Sequence, residues 1–207
     1  MRMIIAAALA LAAGTAQAQR RQPPEPQAGV RLEMPGAPTP EFLAKKREEA
    51  RKEVEALLGN IDTPIPLERW KKVGSHAAQF LEQTAQDRDA LPSRRARALE
   101  GLSIVGSKNA PSLMVDLARD GETPLAVRIE AVRGAGRVLG SASLPNALKP
   151  VLEEATDPQL RAMAAEVIAE TARDEGCPAV RAQAEKEKER GPRWEKALGR
   201  CAAATKQ

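Results

Sequence analysis

Apolar residues recur along the middle of the chain at helical spacing, three times in nearly the same register. Arg95, Arg128 and Arg161 follow one another at intervals of 33 residues, and a proline lies three or four residues before each. A small residue comes three positions after each arginine, and apolar residues come four and seven positions after it. These sets are Ala98, Leu99 and Leu102; Ala131, Val132 and Ala135; Ala164, Ala165 and Ile168. The spacing predicts amphipathic helices, and the constant period predicts a stacked array of helical hairpins.

The pattern divides each repeat into two helices. Helices that carry the arginines are predicted at about 92–105, 124–139 and 158–172. A second set begins near three further prolines, because proline is tolerated in the first turn of a helix, where its missing N–H has no partner to lose. These prolines are Pro111, Pro145 and Pro178, and the second helices are expected to bury Met114, Leu117, Leu148 and Val151.

The segment before the clear repeats is also predicted to be helical. A helix over 41–58 has a thin apolar stripe and many pairs of opposite charge at four-residue spacing, and region 41–60 is interpreted as an N-terminal helix or cap. A short helix follows, with Leu67 and Trp70 facing inward, and then a helix that buries Leu81. The repeat array as a whole is assigned to 61–176.

The first forty residues have a different composition. Residues 1–18 combine an early arginine, an apolar run over 4–13 and a small-x-small site at 16–18, which predicts a signal peptide cleaved before Gln19. Residues 19–40 contain six prolines and few large apolar residues, which predicts a disordered linker. The apolar run is too short for a stable membrane anchor. We therefore expect an exported protein, periplasmic or secreted.

Composition narrows the fold and the function. Hydrophobic residues make up 43% of the chain but aromatic residues only 2%, which favours closely packed helices over a β-sandwich. The net charge of +4 arises from 32 basic and 28 acidic residues that are interleaved, so we expect no nucleic-acid partner. His76 is the only histidine and has no cysteine or carboxylate arranged with it. We expect no enzymatic activity, no cofactor and no metal site.

Two cysteines, Cys177 and Cys201, lie near the end of the chain. An even number of cysteines in an exported protein favours a disulfide. The sequence Arg-Gly-Pro at 190–192 predicts a break between two helices, and the midpoint of the two cysteines falls at 189. Region 177–207 is therefore predicted to be a helical hairpin cap, closed by this disulfide, that departs from the repeat pattern.

The arginine phrase resembles a HEAT repeat of the short bacterial type. In that family an aspartate six residues before the arginine lies in the turn and bonds along the stack; the matching positions here are Asp89 and Glu122, while the third repeat departs with Ala155. The resemblance covers about 62–190. It implies an all-α, right-handed α-solenoid that acts as a scaffold or adaptor, with the arginine helices on its concave side. Arg95, Arg128 and Arg161 would then be structural.

A concave position for these helices would expose the residues two, five and nine places after each arginine. The charged members of this set form the predicted partner-binding face: Arg97, Glu100, Glu130, Arg133, Arg137, Glu166 and Glu170. Mixed charge favours a protein or peptide partner. The alternative is a structural subunit of a cell-envelope assembly that self-associates through helix 41–58. A more remote possibility, implied by the resemblance alone, is a lyase-like or chaperone role for a bound small molecule, because HEAT-like repeats also occur beside pigment-attaching enzymes.

Overall fold

The computed structural model describes residues 38–59 and 63–204. The predicted signal peptide and nearly all of the predicted linker lie outside these residues. The described part is all-α, as predicted, and contains no strand. Its helices are α1 (Pro40–Gly59), α2 (Leu67–Val73), α3 (Ala78–Gln86), α4 (Pro92–Val105), α5 (Ala110–Arg119), α6 (Leu125–Val138), α7 (Leu144–Glu154), α8 (Pro158–Thr171), α9 (Arg173–Lys186) and α10 (Pro192–Ala204), with a short 3₁₀ helix (Ser75–Ala77) before α3.

Helices α3 to α10 lie in two rows. The even row consists of α4, α6, α8 and α10, which contact one another in that order. The odd row consists of α3, α5, α7 and α9, each packed against the even helix that follows it in the chain. Helices α1 and α2 contact α4 at the N-terminal end of the even row. Both rows contribute to one continuous core.

The sequence predicted the core of the repeats correctly. The small residues three positions after the arginines and the apolar residues at four and seven positions are all buried, and the second helices bury the four residues expected of them. Small residues also allow close approach between helices, because a Cβ added at Gly101 would lie 2.6 Å from the Trp70 ring, and one at Gly134 would lie 2.6 Å from the Met114 sulfur. The large side chains of Trp70 and Met114 therefore pack against positions of neighbouring helices that have no side chain.

The C-terminal region follows the repeat pattern, contrary to the prediction that it departs from it. Helix α9 begins at Arg173, four residues before the predicted boundary, and α10 continues the even row. Trp194, Ala197 and Cys201 lie 33 positions after Arg161, Ala164 and Ile168, and all three are buried. The sequence signal was present, but tryptophan replaces the arginine that marked the other copies.

The two cysteines join α9 to α10. Their sulfurs lie at disulfide distance and their Cα atoms are 5.3 Å apart, which is the pairing that the sequence predicts. Both cysteines are buried, one in each helix of the hairpin formed by α9 and α10. The disulfide therefore links the last member of each row.

The N-terminal end is packed unevenly. The second half of α1 is buried through Ala50, Val54, Leu57 and Leu58, whereas Phe42 in its first half is 51% exposed. Trp70 is buried as predicted, but the prediction for Leu67 was wrong, since this residue begins α2 and is 48% exposed. None of the described helices is both long and apolar enough to cross a membrane.

Candidate partner-binding surface

Two of the three repeat arginines complete the ends of the preceding helices. Arg95 donates from Nε to the carbonyl of Ala85, at 3.0 Å, and Arg128 donates in the same way to Ala118, at 3.1 Å. Both arginines are buried. The accepting carbonyls belong to the last turns of α3 and α5, where carbonyl groups lack a partner within the helix. The predicted structural role of these two arginines agrees with this geometry.

In the turns before α4 and α6, an aspartate accepts the backbone amide that would otherwise bond to the carbonyl that the arginine uses. The amide of Glu122 would continue α5 by bonding to Ala118, but it donates to Asp120 Oδ1 instead, at 3.0 Å. Thr123 donates its hydroxyl to the other oxygen, and these two bonds lower the pKa of Asp120. The amide of Asp89 bonds to Asp87 in the same manner.

The acidic residue that accepts bonds in the turn is therefore eight positions before the arginine. The resemblance had implied six positions, at Asp89 and Glu122, and those residues contribute their backbone amides. A contact along the stack does exist, since Arg88 lies 3.8 Å from Asp120 of the next turn, but the Arg88 side chain is exposed and that of Asp120 only half-buried. Such an exposed pair contributes little stability.

The third arginine is bonded differently. Arg161 forms a two-pronged ion pair with Glu187, with Nε–Oε1 and Nη2–Oε2 distances of 2.6 and 2.7 Å, and its Nη1 donates to the carbonyls of Ala155 and Thr156. The turn between α7 and α8 has three residues, whereas the two earlier turns have five, so Arg161 meets different carbonyls. The bonds from Arg161, against opposing burial, lower the pKa of Glu187. The third repeat thus differs from the first two in the partners of its arginine.

The predicted face begins as a charged cluster on α4 and α6. Glu130 accepts from Arg133 and from Arg137, each at 3.2 Å, and Arg137 also donates to Ser103 on α4, at 3.0 Å. Burial raises the pKa of Glu100, and the negative charge of Glu130 adds to the effect, while Arg97 and the other two arginines oppose it. The structure thus brings together all five predicted residues of these two helices.

The remaining two predicted residues lie on α8 beside α10. The exposure predicted for Glu166 was wrong, because this residue is buried and accepts from Arg193 and Lys196 of α10. Burial alone would raise the pKa of Glu166, but the bonds and charges of these two cations outweigh it and lower the pKa. Glu170 is exposed and pairs with Arg200, at 3.0 Å. An additional helix in the row therefore covers one predicted position and partners the other.

A groove runs along this face between α6, α8 and α10. It has a volume of about 380 Å³. Apolar side chains and a glycine form part of its wall, and charged side chains surround them: the lining includes Gly136, Met163, Val167, Arg133, Arg137, Glu166, Glu170 and Arg193. Sequence reasoning missed Arg193, Lys196 and Arg200. The 33-residue offset from α8 to α10 would have located Lys196, which lies 33 positions after Met163, but not the other two.

The only histidine of the sequence lies away from the groove of the even row. His76 is exposed and lies beside a groove between α1 and α3. No group of three or more histidine, cysteine, aspartate or glutamate side chains in the described ranges could hold a metal ion.

Fold and surface together define an all-α protein built from repeated helical hairpins, with a charged groove along one row of helices. Comparison with protein-family models, with curated proteins and with solved structures finds no match to this chain.

Proposed function

We propose that this protein is an exported, non-enzymatic scaffold of the HEAT-like class, a right-handed α-solenoid that binds a protein or peptide partner on its concave face. That face is formed by the even row. The 33-residue period and the two rows of helices support the architecture. Curved rows of helices give such proteins extended binding surfaces. The disulfide is the type of cross-link that persists outside the cytoplasm.

The observation that carries the binding proposal is the ratio of cations to carboxylates around the groove. Glu130 is shared by two arginines, and Glu166 is shared by an arginine and a lysine. Six cations accompany four carboxylates on this face, and they are Arg97, Arg133, Arg137, Arg193, Lys196 and Arg200 with Glu100, Glu130, Glu166 and Glu170. The excess of two positive charges favours an acidic segment of a protein.

In the ion pairs of Glu130 and Glu166, the cations are more exposed than the carboxylates. The side chains of Arg137 and Arg193 are 44% and 45% exposed, whereas those of Glu130 and Glu166 are 12% and 10% exposed. At these two pairs an approaching segment therefore meets positive charge first, with the carboxylates of Glu130 and Glu166 beneath it. Such a surface steers an acidic partner and discriminates against a basic one, and its effect weakens as salt is added.

The test uses a double variant that removes two exposed cations without leaving a carboxylate unpaired. In Arg137→Gln with Arg193→Gln, Glu130 keeps Arg133 and Glu166 keeps Lys196. The matched control is Lys45→Gln with Lys72→Gln, which removes the same charge from exposed positions elsewhere. Partners captured from an envelope extract by the unmodified protein are identified, and their affinities for all three proteins are measured.

We expect the groove variant to bind roughly tenfold more weakly, because two exposed charge contacts of up to about 1 kcal/mol each are lost. The control should retain the original affinity, and added salt should narrow the difference. Equal affinities for the groove variant and the control would contradict the assignment of this face.

A second candidate is self-association through α1, as a structural subunit of an envelope assembly. The first half of α1 is mostly exposed and carries Phe42, which is 51% exposed. The Lys46 ammonium lies 5.9 Å from the centroid of its ring. Light scattering of the protein and of Phe42→Ser distinguishes the two functions. An oligomer that dissociates in the variant would favour self-association, and a concentration-independent monomer would exclude it.

Export is tested separately by the intact mass of the secreted or periplasmic protein. We expect a chain that begins at Gln19. A mass that retains residues 1–18 would refute cleavage at this site.

A further inference from the structure

The three repeat arginines differ in how much of the guanidinium group is used. Arg161 uses both edges, since it holds the carboxylate of Glu187 in a two-pronged ion pair while Nη1 donates to backbone carbonyls. Arg128 is only 9% exposed, yet among the described residues it makes one hydrogen bond, from Nε to Ala118. Its two terminal nitrogens have no hydrogen-bond partner there. A largely buried arginine thus has most of its donors free.

A cavity of about 300 Å³ adjoins Arg128 on the edge of the molecule formed by the turns. Its wall includes Arg119 and Gly121 from the end of α5 and the turn after it, and Val151, Glu154 and Thr156 from the end of α7 and the turn after it. Arg119 is exposed, so a second cation is available at the rim. The cavity lies at the turns and not in the groove of the even row.

Comparison of Arg128 with Arg161, one repeat later, indicates which chemical group fits this cavity. Glu187 lies 26 positions after Arg161, and Glu154 lies 26 positions after Arg128. Glu187 follows the last residue of α9 and has an extended backbone, with φ −75° and ψ 122°, which carries its side chain to the arginine. Glu154 is still the last residue of α7 and forms no ion pair with Arg128 in the described chain. No carboxylate of the described residues therefore occupies the position beside Arg128 that corresponds to that of Glu187 beside Arg161.

We propose that this cavity is a carboxylate-binding site in which Arg128 holds the ligand through its two terminal nitrogens, while Nε keeps its bond to Ala118. A planar guanidinium binds a carboxylate through two parallel hydrogen bonds, and burial strengthens this interaction relative to one in open solvent. The ligand is a carboxylate, either that of an acidic protein segment or that of a small organic acid. The site is separate from the groove, so its failure leaves the proposed function untouched.

The experiment follows the Nε–H signal of Arg128 and the backbone amide of Thr156 by NMR while ligand is added to the protein. The probes are sodium acetate and a capped Gly-Glu-Gly peptide, each compared with sodium chloride at equal ionic strength. We expect saturable shifts with a carboxylate probe and none with chloride. Tighter binding of the peptide would identify an acidic protein segment as the source, and equal or tighter binding of acetate a small organic acid.

Variants establish which groups bind. Glu154→Gln should tighten binding severalfold, because it removes a negative charge from the cavity wall. Glu153→Gln is the matched control and should change nothing, since Glu153 pairs with Lys149 and is not part of that wall. Arg119→Gln should weaken binding severalfold while it leaves the buried bond of Arg128 intact. Arg128→Lys should weaken binding at least tenfold.

Three outcomes would overturn the proposal. The absence of saturable shifts with either carboxylate probe would show that the site does not bind. Binding that appears only in Glu154→Gln would show that Glu154 occupies the cavity in solution, which makes the feature an internal ion pair. Comparable tightening by Glu153→Gln would also count against it, as a general charge effect.

Discussion

The most informative perturbation is the removal of Arg128 by Arg128→Ala, compared with Arg133→Ala on the same helix. Both substitutions shorten the same residue type in α6. Arg128 is buried and bonded to the carbonyl of Ala118, whereas the side chain of Arg133 is 42% exposed and shares Glu130 with Arg137. The pair therefore separates a structural arginine from a surface arginine.

The structure sets the magnitudes. In Arg128→Ala the carbonyl of Ala118 at the end of α5 loses the one side-chain donor that it has among the described residues, and an unsatisfied buried polar group costs about 1–3 kcal/mol. In Arg133→Ala the carboxylate of Glu130 keeps Arg137, and loss of an exposed ion pair costs about 0–1 kcal/mol. With a typical urea dependence of about 1–3 kcal/mol per molar, the midpoint should fall by roughly 1 M for Arg128→Ala and by much less for Arg133→Ala.

Urea unfolding followed by circular dichroism and by tryptophan fluorescence provides the assay. Trp70 and Trp194 are both buried, one in α2 and one in α10, so fluorescence reports on both ends of the rows. Equal midpoints for the two variants would refute the structural role assigned to Arg128. A larger loss in Arg133→Ala would show that the exposed face had been misassigned.

Three further predictions concern packing, pH and the disulfide. Gly101→Ala should destabilise the fold by about 1–3 kcal/mol, because the new Cβ would overlap the buried Trp70 ring; an unchanged melting temperature would contradict this. Glu187 has a lowered pKa in the fold, so its contribution is present above its unfolded pKa of about 4.3 and is lost as the pH falls through the folded value. Glu187→Gln should therefore flatten the acid side of the stability profile, and a profile parallel to that of the unmodified protein would argue against the Arg161 pair. Reduction of the disulfide, which closes a 24-residue loop, should cost about 3 kcal/mol and should increase hydrogen exchange in α9 and α10 more than in α4; a uniform increase would contradict a local effect.

The sequence by itself determined the helices and most of the core. The three arginine phrases predicted the helices now seen as α4, α6 and α8, and the apolar residues at four and seven positions after each arginine are buried. These features depend on spacing along one chain segment, since burial of one helix stripe follows from the 3.6-residue period. The two cysteines were likewise paired correctly from their positions around a predicted break.

Only the tertiary structure decided which surfaces remain exposed and what each arginine contacts. The sequence predicted that Glu166 faces solvent, but α10 extends the even row and covers it. It predicted that Leu67 faces inward, but this residue begins α2 and is exposed. Arg161 shares its spacing with Arg128, yet a shorter turn and the extended backbone of Glu187 give it a different partner. The exposure of a side chain and the choice of its ion-pair partner depend on neighbouring helices that lie about one repeat away in the sequence. A periodic pattern contains no information about the length of a turn or about the last helix that joins the row.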